Sequence, residues 1–165
     1  MKTSDATPYL LRLLDRFPIL RREPHLVTVH FPLAFAVVVP FFHALYLLRR
    51  NAAFERTAFM LLGLGALATP AATATGYLTW YINFGARATR PIRIKIGLSA
   101  YLCAVMAALF GWRWSDESLL EGTGPGRAAY LALSFSMAPA ATILGRVGGR
   151  LSGHRSAAPA PTPDL

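Results

Sequence analysis

Charge is what this sequence has least of where a soluble protein would need it. Charged residues make up 15% of the 165 residues and apolar ones 54%, against roughly 25% charged in an ordinary globular chain. No Asp, Glu, Lys or Arg occurs between Glu23 and Arg49, and residues 57–86, 96–112 and 128–145 lack them as well. These gaps exclude a soluble four-helix bundle, whose helices each need a polar face. Cysteine is nearly absent too. The single Cys103 excludes an intrachain disulfide. Acidic residues are outnumbered 8 to 17 by Lys and Arg, and none lies within an apolar run, which argues against a buried proton relay or a carboxylate-ligated metal. There is no phosphate loop and no nucleophile motif, so no catalytic residue is expected. The charges scattered through residues 1–23 interrupt any uncharged core of a cleavable signal peptide, leaving the first apolar run to direct insertion.

What remains are four apolar runs, each near the length that crosses about 30 Å of hydrocarbon. The expected spans are about 26–48, 58–81, 94–112 and 128–145. Short connections make successive spans antiparallel neighbours. The expected fold is all-α: a four-helix transmembrane bundle running up-down-up-down. Its limits are set at residues 25–152, with 1–24 as an N-terminal interfacial segment and 153–165 as a disordered Pro/Ala-rich tail. Within the first segment, "PYLLRLLDRFPIL" (8–20) sets Leu10, Leu13, Leu14 and Phe17 on one face and predicts a short amphipathic helix, lying in the interface or docked on the bundle. Trp80, Tyr81, Trp112, Trp114 and Tyr130 fall at span ends, where aromatic rings anchor at headgroup depth.

The basic residues flank the runs and form no continuous face, so lipid headgroups are the expected partner and nucleic acid is not. Twelve lie on the side of the termini and five on the other, which predicts cytoplasmic termini. Arg90, Arg93 and Lys95 crowd the start of the third span. Cations are unfavourable there, so an anion is expected nearby: lipid phosphate first, a haem propionate or an acidic partner subunit otherwise.

Small residues recur at four-residue spacing in the second span (Gly65, Thr69, Thr73), the third (Ser99, Cys103, Ala107, Gly111) and the fourth (Ser134, Ala138, Thr142), as close helix packing in lipid requires. Thr and Ser hydroxyls on these stripes are expected to bond backbone carbonyls rather than line a substrate path. Pro32, Pro40, Pro70 and Pro139 lie inside spans and predict kinks.

Four histidines carry the only candidate chemistry: His25, His30, His43 and His154. His25 and His30 sit five residues apart, about 140° around a helix, and make poor partners for one ion. The first span starts and the fourth ends on the same side, so the favoured pair is His30 with His154, as imidazoles from two helices that a b-type haem requires, with His25 nearby. Gly145, Gly148 and Gly149 are expected to stop the fourth helix and turn the chain back over the bundle. His43, near the far interface, is expected to be structural.

"PHLVTVHFPLAF" (24–35), "ATGYLTWY" (74–81) and "GRVGGRLSGH" (145–154), in this order, resemble the small bacterial membrane proteins of the domain of unknown function 2231 family. The resemblance covers residues 24–154 and carries over His30, Pro32, Gly148, Gly149 and His154. The chain departs from the pattern at His43 and Thr79, where an acidic residue is usual, and at the Arg- and Lys-rich opening of the third span, where histidine is expected. The resemblance implies a four-span fold in the bacterial inner membrane, and the redox links of some relatives point to haem b or quinone contact. The competing expectations are a cofactor-free accessory or scaffold subunit of a larger complex and, less favoured, a small-solute channel or transporter.

Overall fold

The computed structural model describes residues 24–84 and 89–156, with side chains placed at 29–77, 80–81 and 89–149. Among the described residues four α-helices make up the bundle: α1 (Pro24–Arg49), α2 (Ala52–Phe84), α3 (Arg90–Ser115) and α4 (Pro125–Ser156). Each packs on its chain neighbours and α1 closes the ring against α4, giving the up-down-up-down arrangement. One end of the bundle carries the start of α1 and the close of α4 (the terminal end). The other carries the α1–α2 and α3–α4 connections (the hairpin end). The amphipathic segment 8–20 and residues 157–165 lie outside the described residues.

All four helices contain apolar stretches long enough to cross a membrane: Val29–Arg49, Ala52–Tyr77, Arg90–Ser115 and Pro125–Gly149. Large apolar side chains face outward, among them Phe31 at 60% and Leu67 at 78% exposed, which only a hydrocarbon surrounding tolerates on this scale. The interior is a narrow seam of Ala36, Val39, Leu62, Met106, Leu109, Met137 and Leu144.

The helices are longer than the apolar runs. Only Arg50 and Asn51 separate α1 from α2; Arg50 adopts φ 53°, and Asn51 Oδ1 accepts a bond from the Ala53 amide, starting α2 at once. Glu55, Arg56 and Thr57, expected in a connection, are therefore helical. At the other end α4 does not stop at its glycines. It runs through Gly145, Gly148 and Gly149 to Ser156, and so takes in residues 153–156, expected in the tail. None of the three adopts a left-handed backbone. A glycine costs a helix interior only about 1 kcal/mol, which a four-span bundle absorbs. The four internal prolines lie within helices.

The expected hydroxyl bonding holds at Thr69, whose Oγ1 donates to the Gly65 carbonyl at 2.6 Å, at Thr75, which donates to Ala72 O, and at Thr142, which donates to Ala138 O. Glycines let α2 approach α3 closely. A Cβ on Gly63 would lie 2.9 Å from the Phe110 ring, and one on Gly65 would lie 2.8 Å from Met106 Sδ.

Candidate functional site

Two polar constellations occupy the two ends of the bundle. At the terminal end, His30 sits on α1 with its side chain exposed. His25 and His154 belong to α1 and α4 by backbone, while their side chains lie outside those described. Arg90 and Arg93 are exposed on the first turns of α3, and Lys95 is half-buried.

The register between α1 and α4 fixes how these positions line up. His43 Nδ1 lies 2.7 Å from Ser134 Oγ, and a Cβ on Gly145 would sit 3.5 Å from Leu33 Cδ2. From His43 back to Leu33 is ten residues on α1, and from Ser134 on to Gly145 is eleven on α4, so the two helices run antiparallel in step. Continued by eight residues on each, the register brings His25 level with Gly153, the neighbour of His154. His30 is level with Gly148, six residues or about 9 Å short of His154. By this register the backbone position of residue 154 falls nearer the level of position 25 than that of position 30.

The hairpin end holds a site that the sequence alone did not single out. His43 and Ser134 are both fully buried, and Tyr130 packs edge-on against the imidazole at 5.4 Å between centroids. Tyr130 is not an interfacial anchor as its position suggested; it is 0% exposed and also meets Trp112 edge-on at 6.2 Å. Beside them Glu55 of α2 and Arg113 of α3 form a two-pronged ion pair, Nε to Oε1 at 2.5 Å and Nη2 to Oε2 at 3.1 Å, with side chains only 10% and 14% exposed. Arg113 also reaches the Asp116 carbonyl and stands over the Phe59 ring. Tyr46 donates to the Leu120 carbonyl, tying α1 to the buried Leu120 of the α3–α4 connection. All four helices contribute, so the cluster ties together the end opposite the termini.

Among the described residues, His43 Nε2 and the Tyr130 hydroxyl are buried without a hydrogen-bond partner. A buried polar atom left unpaired costs about 1–3 kcal/mol, and two in one place mark the polar centre of the bundle. Sequence spacing carried a signal for half of this: Pro32, Ala36, Val39 and His43 fall at three- and four-residue steps and all are buried. The partnership of Glu55 with Arg113 had no such signal, because both were counted with the connections. Among the described residues no group of three or more His, Cys, Asp or Glu side chains converges as metal ligands.

Four apolar spans around a narrow interior, with the charged groups of the described residues near the two ends, define a small polytopic membrane protein. The chain belongs to the family described as "Predicted membrane protein (DUF2231)", whose sequence profile it matches over residues 23–157. No curated protein and no solved structure matches it.

Proposed function

We propose that this protein is a redox-associated module of the bacterial inner membrane, with both termini cytoplasmic, that holds haem b at the terminal end of the bundle between α1 and α4. The observation that supports the reading is the α1–α4 register set by His43 with Ser134 and Leu33 with Gly145; continued along both helices, it would put positions 25 and 154 at similar levels. Helical spacing agrees. Position 25 continues the inward stripe of Pro32, Ala36, Val39 and His43, and position 154 follows Ala140 and Val147 at seven-residue steps. His30, by contrast, shares its face with the exposed Val37 and Phe41.

Imidazoles from two neighbouring helices are the ligand set of many b-type haems, and the bound group supplies one-electron transfer. The residues of the chain have the simpler tasks of holding and enclosing. Among the described residues nothing lies within 4 Å of a Cβ built on Gly148 or Gly149, so these positions on α4 would leave room at this level. His25 and His154 would supply the two imidazoles that hold the group, and these glycines would leave room beside them. The asymmetry of Lys and Arg, twelve against five, supports cytoplasmic termini.

The test is a reduced-minus-oxidised visible spectrum of the full chain, purified in mild detergent after expression with ample haem. Soret and α-bands at one haem per chain are expected. A colourless, folded protein would overturn the haem reading and leave the accessory-subunit reading in its place.

A further inference from the structure

Of the polar side-chain atoms gathered at the hairpin end, two have no hydrogen-bond partner among the described residues: His43 Nε2 and the Tyr130 hydroxyl. Both residues are 0% exposed. The imidazole is fixed through its other nitrogen, with Nδ1 at 2.7 Å from Ser134 Oγ, and turning the ring to pair Nε2 elsewhere would break that bond. The Tyr130 ring is held edge-on by His43, at 5.4 Å, and by Trp112, at 6.2 Å. Tyr130 and Ser134 stand one turn apart on α4, and His43 meets both. The three polar side chains therefore share one stretch of the seam between α1 and α4.

The backbone of α1 adds an acceptor to the same stripe. Pro40 lacks the N–H that would bond the Ala36 carbonyl, and Ala36 is fully buried below Val39 and His43. His43 lies six residues, or about 9 Å of helix, inside the end of α1 at Arg49. At that depth hydrocarbon offers no hydrogen bond to anything the bundle leaves unpaired. Buried polar atoms of native proteins are nearly always paired, with protein or with ordered water.

We infer that this seam is the binding site of one internal water molecule, hydrogen-bonded to both His43 Nε2 and the Tyr130 hydroxyl. The chemistry of the two atoms selects this occupant. A neutral imidazole has one N–H and one bare nitrogen, so Nε2 takes whichever role Nδ1 leaves to it, and a tyrosine hydroxyl both donates and accepts. Water answers either combination from a single heavy atom. Among the described residues no three His, Cys, Asp or Glu converge here as a metal ion would need. An organic ligand would have to part α1 from α4 to reach two atoms that are wholly enclosed. A water with two to four polar partners is the ordinary content of a site this size. The site stands whether or not haem is held at the other end of the bundle.

The experiment is microsecond X-ray hydroxyl-radical labelling of the full chain in mild detergent, with oxidation at Tyr130 read by mass spectrometry. Radicals born from a bound water oxidise the side chains beside it, even where bulk solvent does not reach. Oxidation of Tyr130 is expected in the folded wild type. His43→Phe removes one partner and puts hydrocarbon in its place, and should lower that oxidation severalfold. His43→Leu serves the same purpose should the phenylalanine variant fail to fold. Stability supplies an independent arm whose sign separates a bonded hydroxyl from an orphan. If the hydroxyl bonds a water, Tyr130→Phe loses that bond and lowers the ratio of folded to unfolded protein about fivefold. If nothing bonds it, the same change removes an unsatisfied group and leaves the ratio equal or raised. Absence of Tyr130 oxidation in the folded wild type would overturn the proposal. So would undiminished oxidation in a folded His43 variant, or a Tyr130→Phe variant at least as stable as the wild type.

Discussion

His43 on α1 and Ser134 on α4 meet through Nδ1 and Oγ at 2.7 Å, both side chains fully buried. They lie 91 residues apart in the chain, and their contact sets the step between the first and last helices. A side-chain hydrogen bond typically contributes about 1 kcal/mol net, while orphaning one buried partner costs about 1–3 kcal/mol. Ser134→Ala should therefore lower stability by about 1–3 kcal/mol. In a double-mutant cycle with His43→Ala the two losses should be non-additive by about 1 kcal/mol. Unfolding of each variant in mixed detergent micelles checks this; strictly additive losses would mean that the contact carries no energy.

The Glu55–Arg113 pair predicts a different pattern. Breaking a buried ion pair by removing one partner costs about 3–5 kcal/mol, whereas replacing both with apolar residues is often neutral. Glu55→Leu or Arg113→Leu alone should destabilise more than the two together. The same unfolding measurement decides it, and a double variant worse than either single one would show the pair to be a net source of stability.

Gly63 and Gly65 face the same neighbouring helix with different tolerance. The atom that a Cβ at Gly65 meets is the thioether of Met106, a buried but unbranched side chain with more rotatable bonds to adjust. The one at Gly63 is the ring of Phe110, held between Phe59, stacked at 5.0 Å, and Trp114. Gly63→Ala should cost about 1–3 kcal/mol, as overpacking does, and Gly65→Ala distinctly less. Equal losses would mean that the backbones rather than the side chains set the approach.

Four spans, their order and the closed ring were legible in the sequence because uncharged runs of this length have one physical outcome. Helix ends were not, because α2 and α4 run past their apolar cores into charged or glycine-rich turns that hydropathy alone does not count. The same limit hid the hairpin-end site. Glu55 and Arg113 read as connection residues until α2 was seen to start at Ala52 and α3 to run to Ser115. Tyr130 read as an interfacial ring, since nothing local distinguishes a tyrosine facing lipid from one turned against a histidine of another helix. At the terminal end the sequence placed the histidines on one side of the membrane. Their levels along α1 and α4 needed contacts far apart in the chain.

The excess of Lys and Arg around the termini predicts a cytoplasmic C-terminus. Fusion of a green fluorescent protein after Leu165 should fluoresce, and alkaline phosphatase at the same point should be inactive. Active phosphatase would invert the orientation.

The most direct measurement of the central claim compares three variants, His25→Ala, His30→Ala and His154→Ala, by the reduced-minus-oxidised spectrum of the purified full chain. The α1–α4 register predicts that His25→Ala and His154→Ala each abolish the α-band of the wild type while His30→Ala keeps it. A band lost in His30→Ala and kept in His25→Ala, or no band in the wild type, would contradict the account.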